Sequence, residues 1–220
     1  MKLLICAATE MELQPFRFGF SQSDIGFAES KKTQINFCCT GIGSVITATE
    51  LAMYPGISLY DLILQVGIAG SFQDHLPIGS VVEVVSERFA DLGVEMAEGQ
   101  FEDIFKSGLY PPDQWPFTNG HLINKNTYSS LPKVAGITVN KVHGSQDSIH
   151  VIRQIYNPDI ETMEGAGFFY VALKNQIPFC QIRAISNKVE PRNRASWDIS
   201  MAMENLLREV TTLLKSLPFL

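Results

Sequence analysis

Residues 160–187, IETMEGAGFFYVALKNQIPFCQIRAISN, leave little choice of local structure. An extended run ends on Met163-Glu164, and the small residues Gly165, Ala166 and Gly167 then open a helix able to pack close against a neighbour. Phe168, Val171, Ala172 and Leu173 recur at helical spacing on one apolar face. Asn175 and Pro178 stop the helix. Residues 179–185 are a nearly continuous apolar run, interrupted at Arg183, of the kind buried on both faces of a sheet. A strand-helix-strand unit of this type predicts an α/β fold, in which ligands lie at the carboxyl ends of the strands. Glu164 and Asn187 are expected just past two such ends. Each also has a plain structural explanation, since a glutamate complements a helix N-terminus and an asparagine makes a turn.

The rest of the chain repeats this alternation. Residues 2–8 read as a buried strand, and Thr9-Glu10-Met11-Glu12-Leu13 turns into a helix with acidic residues in its first turn. The opening apolar run is short and is followed at once by Glu10 and Glu12 without a cleavage site, which fits a strand rather than a signal peptide. Residues 35–40 form a second strand, Gly41-Ile42-Gly43 opens a helix over 44–53, and residues 61–66 and 79–86 are further strands. Gly67-Ile68-Ala69-Gly70-Ser71, after the third strand, is either a tight turn or a stretch of small residues whose backbone approaches a ligand. Between residues 88 and 132 periodicity fails over a segment longer than an ordinary connection, which marks a functional or mobile insertion. Residues 137–142 resume as a strand, residues 144–149 read as a loop, and a closing helix over 197–215 buries Met201, Leu206, Val210 and Leu213. Arg192 and Arg194 lie in the polar loop before it, either solvated or placed for a carboxylate.

With 220 residues, 45% of them hydrophobic, the chain is long enough to bury a full core as one domain over residues 1–220. A net charge of -6 argues against nucleic acid and leaves a small molecule as the expected partner. No apolar run reaches bilayer-spanning length. Cys6, Cys38, Cys39 and Cys180 fall in predicted strands as buried thiols, the pattern of a reducing, cytoplasmic compartment. His75, His121, His143 and His150 are scattered without metal-ligand spacing and read as structural or surface residues, so neither metal nor cofactor is expected.

Met163-Glu164 ahead of a small-residue helix, followed by Arg183-Ala184-Ile185-Ser186 and a polar residue, resembles the nucleoside phosphorylase and nucleosidase superfamily. The pattern is nearest to the hydrolases of methylthioadenosine and S-adenosylhomocysteine and to futalosine hydrolase of menaquinone synthesis. The resemblance covers most of the chain and implies a three-layer α/β/α sandwich around a twisted mixed β-sheet, assembled as a homodimer or higher homo-oligomer. In these nucleosidases an Ala-x-Glu-x-Glu run ends on the glutamate that activates water; here it is Ala8-Thr9-Glu10-Met11-Glu12. The resemblance also implies that Gly41-Ile42-Gly43 packs near the ribose, and that Ile68, Ala69, Gly70 and Met163 contact the nucleoside. The 88–132 insertion is expected to border the 5′ pocket and the subunit interface, and residues 144–149 to cover the base.

Hydrolysis of an N-glycosidic bond passes through an oxocarbenium-like state, so a site must stabilise a cationic ribosyl group, activate water and help the base depart. Glu164 is expected to accept from the ribose hydroxyls and to face that cation, with Glu12 as the base for water. Glu10 and Glu12 repel a phosphate dianion, which favours hydrolysis over phosphorolysis. Asn187 stands where the adenine-specific relatives carry Asp. Its amide can donate to a 6-oxo group and accept from a protonated N7, which points to hypoxanthine or guanine as the leaving base. Futalosine carries a benzoate on its 5′ extension, a partner for Arg192 or Arg194. The expectation is a futalosine-type hydrolase that needs no cofactor. A methylthioadenosine/S-adenosylhomocysteine nucleosidase, a purine nucleoside phosphorylase and a non-catalytic nucleoside-binding protein are the alternatives that use the same residues.

Overall fold

Alternate residues of the first strand point into different cores. In the computed structural model, which describes residues 1–21 and 34–217, β1 (Lys2–Ala7) sends Leu3, Ile5 and Ala7 to one cluster and Leu4 and Cys6 to another. That is the two-residue period of a strand covered on both sides. α1 (Glu10–Ser21), β2 (Gln34–Cys39), α2 (Ser44–Ala52) and β3 (Leu62–Ser71) follow. β4 (Val81–Glu87) leads into short strands β5 (Gly93–Glu95), β6 (Phe101–Asp103), β7 (Phe117–Thr118) and β8 (His121–Ile123). The chain returns through β9 (Lys133–Thr138), α3 (Gln146–Tyr156), β10 (Ile160–Thr162), α4 (Gly165–Lys174), β11 (Phe179–Lys188) and α5 (Ile199–Ser216).

One mixed sheet holds all of these strands except β5 and β6. β3 pairs with β1, β10 and β11, while β4 pairs with β8, β9 and β11, so β3, β10, β9, β4 and β11 close into a ring. Sheet twist is thus carried far enough to bring two edges together. α1 and α5 cover one side through Leu13, Phe16, Leu206 and Val210. α2 and α4 cover the other through Leu51, Phe168, Phe169 and Val171, completing the expected three layers. Among the described residues, no helix is long and apolar enough to cross a membrane. All four cysteines are free.

Several boundaries differ from expectation, each for a local reason. Residues 67–71 do not follow β3 as a loop but continue it, because β11 runs alongside as far as Lys188, with a bulge between Ile185 and Asn187. Asn187 therefore lies inside the last turn of pleat rather than beyond the strand. β9 is shifted toward the N-terminus of its expected span and ends at Thr138. Of residues 144–149 only Gly144 and Ser145 lie in a loop: the Ser145 hydroxyl accepts from Ser148 N at 3.3 Å and caps α3, which begins at Gln146. Trp197 precedes α5, and Met201 is 45% exposed; the buried stripe is Ala202, Leu206, Val210, Leu213 and Leu214. The 88–132 segment is tied down by edge-to-face rings, with Phe105 and Tyr110 set against Phe117 at 5.0 and 5.8 Å.

The small residues that open α4 do what their size allows. A methyl group on Gly167 would stand 2.4 Å from Ser44 O, so α4 and α2 touch backbone to side. Gly167→Ala is expected to destabilise the fold by roughly 1–3 kcal/mol, an overpacking cost, read as a lower midpoint in urea at unchanged slope. An unchanged midpoint would mean that the two helices separate freely.

Candidate active site

Four strand ends, those of β1, β3, β10 and β11, converge on one cavity of about 400 Å³. Its walls include all nine residues singled out from sequence: Glu12, Ile68, Ala69, Gly70, Met163, Glu164, Asn187, Arg192 and Arg194. Glu12 comes from the first turn of α1 and is 5% exposed. One carboxylate oxygen accepts from Thr9 N at 3.1 Å and Thr9 Oγ1 at 2.9 Å, and the other accepts from Ile68 N at 3.1 Å. A carboxylate offers about four acceptor positions, so three bonds fix this one in place and leave room for one more donor.

Glu164 occupies the N-cap position of α4 but makes no capping bond with its side chain. Instead Oε1 accepts from Gly43 N at 3.2 Å, tying it to the Gly41-Ile42-Gly43 turn, and Oε2 lies 3.7 Å from Arg183 Nη2. Burial raises its pKa above the ordinary carboxylate value; Arg183 and the Gly43 amide oppose that rise, and Glu12 adds to it. Arg183 is the residue that sequence reading passed over. In the sequence it interrupts an apolar strand and opens the Arg183-Ala184-Ile185-Ser186 motif without a role of its own, yet its side chain is 1% exposed beneath the two glutamates. Alternation on β11 places Gln181 and Arg183 on one face, paired in register with Gln65 and Gly67 of β3. Gly67 is needed there: a methyl group would meet Arg183 Nη1 at 2.3 Å and Glu12 Oε1 at 2.8 Å.

Below this layer Glu87 is fully buried at the end of β4, accepting from Thr138 Oγ1 at 2.9 Å, while Thr138 Oγ1 accepts from Ala166 N at 2.7 Å. The start of α4, and with it Glu164, is thereby fixed to the sheet. Burial raises the Glu87 pKa to about 7, against a smaller lowering from the Thr138 bond. A raised folded-state pKa gives stability that is present below the unfolded value and lost as pH rises through the folded one. Glu87→Gln, which mimics the neutral acid, should therefore gain on wild type between about pH 4.5 and 7. The gain should level off on the order of 3 kcal/mol above that. Denaturant melts at pH 5 and pH 8 check this, and a difference that does not change with pH would contradict it.

The other end of the cavity is set by β3. Ile68, which binds Glu12, and Gly70, which lies against Asn187, are two residues apart along the strand, roughly 7 Å. Asn187 Oδ1 accepts from Ser186 Oγ at 2.8 Å, and Nδ2 donates to Lys188 O at 2.9 Å. One amide hydrogen and one lone pair are left for a ligand. Arg192 and Arg194 flank the Trp197 ring, with guanidinium carbons 5.6 and 6.0 Å from its centroid. Neither has an ion-pair partner among the described residues. The cavity also contains Glu161, unforeseen from sequence, whose carboxylate accepts from His143 N at 3.0 Å and is bonded to His143 Nδ1. His143, held by that carboxylate, lines a small neighbouring chamber rather than the cavity itself. Among the described residues no cluster of His, Cys, Asp and Glu is arranged to hold a metal ion.

A mixed sheet closed on itself, carrying a buried glutamate pair at its strand ends over an internal arginine, defines the class. Residues 7–217 match the model of the Phosphorylase superfamily, and the chain belongs to that family. It is 27% identical to futalosine hydrolase of Thermus thermophilus over 213 residues, covering 96% of this chain and 94% of that one. Futalosine hydrolase of Streptomyces coelicolor is 31% identical over 148 residues, which span 67% of this chain and 62% of that relative. Among solved structures, 5′-methylthioadenosine/S-adenosylhomocysteine nucleosidase from Neisseria meningitidis, in complex with methylthio-immucillin-A, superposes with a TM-score of 0.77. It is 20% identical, with 98% of this chain and 99% of that one covered, a likeness of fold.

Proposed function

We propose that the protein is a futalosine hydrolase-type nucleosidase, cleaving the N-glycosidic bond of a 5′-modified 6-oxopurine nucleoside with water. The reading is supported by one arrangement above all: Glu12 and Glu164 share a cavity with Asn187 and two arginines that have no ion-pair partner among the described residues. The ribose lies between the glutamates, where Glu164 faces the developing cation and Glu12 takes a proton from water. Glu10, expected to help repel phosphate, is exposed and paired with Arg17 at 3.2 Å away from the cavity, so Glu12 and Glu164 are the two carboxylates that disfavour a phosphate nucleophile. Arg192 and Arg194 are suited to a carboxylate on the 5′ extension, because guanidiniums stacked on Trp197 with no ion-pair partner among the described residues can bind a planar anion in fork geometry. The relatives named futalosine hydrolase support the same substrate class. α2 and its flanking residues expose Ile42, Val45, Ile46 and Met53, which supports a homo-oligomer.

Asn187 provides the test of base choice. Asn187→Asp replaces the donor that now reaches Lys188 O and removes the amide hydrogen proposed to read O6. The ratio of kcat/KM for the 6-oxo and 6-amino forms of one nucleoside is expected to fall at least roughly tenfold in the variant. An unchanged ratio would show that Asn187 does not read the base, and a wild-type preference for the 6-amino form would favour a methylthioadenosine-type nucleosidase instead.

A further inference from the structure

A departing purine must be neutralised, and Asn187 cannot do it. Its amide keeps one hydrogen to donate in a hydrogen bond but is no acid, so it cannot transfer a proton to the base. Beside Asn187, however, the cavity opens into a small side chamber that shares Gly70, Glu161, Asn187 and Arg192 with it and is lined in addition by His143. His143 Nδ1 is held by Glu161, whose other oxygen accepts from the His143 backbone amide, so ring and carboxylate are fixed by two bonds between the same residues. Nε2 has no hydrogen-bond partner among the described residues and is not sealed from solvent. The loop that carries the ring is held from behind, with Arg192 N donating to Gly144 O at 3.0 Å. β10 supplies Glu161 in register with Gly70, which places the pair on the Asn187 side of the site.

We propose that His143, oriented by Glu161, is the acid that protonates the leaving base, a role that rests on the nucleosidase reading above. A carboxylate on Nδ1 fixes the tautomer and stabilises the ring while it holds both protons, so that Nε2 is the donor. In the step, the bond between ribose C1′ and purine N9 breaks and its electron pair passes to the purine. His143 Nε2 gives its proton to N7, water oxygen bonds to C1′, and the proton released by water goes to Glu12. Return of one proton from Glu12 to His143 through solvent restores both groups. Asn187 then orients the base, and the acid comes from a different element.

The test compares two leaving groups. His143→Asn keeps a donor where Nδ1 meets Glu161 but has no acid to offer. On the 6-oxopurine nucleoside its kcat should fall by roughly a hundredfold or more. On p-nitrophenyl β-D-riboside, whose leaving group departs as a stable anion, the loss should stay within about fivefold. If His143→Asn does not fold, Glu161→Gln leaves the ring in place without its carboxylate and should show the same selective loss. Equal loss on both substrates, or none on either, overturns the assignment of His143. Wild-type protein that cleaves neither substrate overturns the nucleosidase reading itself.

Discussion

Glu12→Gln is expected to fold as wild type does and to lose between roughly a hundredfold and ten-thousandfold in kcat, the range for removal of a general base. Glutamine keeps the size of the side chain and one carbonyl oxygen, so part of the bonding to Thr9 and Ile68 survives. What is lost is the acceptor for the proton of water. KM should change little, because the carboxylate is already occupied on three sides by the protein and meets the substrate only through that water. Turnover close to wild type would remove Glu12 from the chemistry and leave it as the clamp between α1 and β3.

Glu164→Gln is the second large effect, and it acts on charge rather than on proton transfer. Its carboxylate lies at the N-terminus of α4 with one oxygen on Gly43 and the other near Arg183, and it is 6% exposed. In so dry a place a negative charge stabilises an adjacent oxocarbenium ion far more than it would in water. The variant should lose roughly a hundredfold to a thousandfold in kcat with a much smaller change in KM. Because burial raises the Glu164 pKa, the acid limb of the wild-type rate profile should lie above the ordinary carboxylate range, where protonation removes the charge. An effect confined to KM would reduce Glu164 to ribose binding.

Short-range rules placed the corners and close approaches of this site, and the family resemblance attached roles to them. Glu12 and Glu164 mark strand-to-helix corners, Gly67 and Gly167 mark close approaches, and the helix-strand alternation fixes which ends converge. What escaped depends on pairing across the sheet. Arg183 looked like a blemish in an apolar strand until the register set it over Gly67, on the face that carries Gln65 and Gln181. Glu161 read as one more extended residue, since nothing local says that His143 will fold back upon it. α3 was missed where polar residues dominate its first turn, although Ser145 and Ser148 supply a capping signal. Asn187 was placed one step too far along because a bulge cannot be read from composition. Met201 fits the apolar period of α5, yet the stripe that packs begins at Ala202.

The central claim is transfer of a ribosyl group from a 6-oxopurine to water, and product analysis tests it most directly. Futalosine would be incubated with the protein in the presence and absence of inorganic phosphate, and the released base and sugar identified and counted. The account predicts hypoxanthine and the free 5′-substituted sugar in equal amounts, at a rate that phosphate does not increase. A sugar 1-phosphate formed only when phosphate is present, or no released base at all, would contradict it.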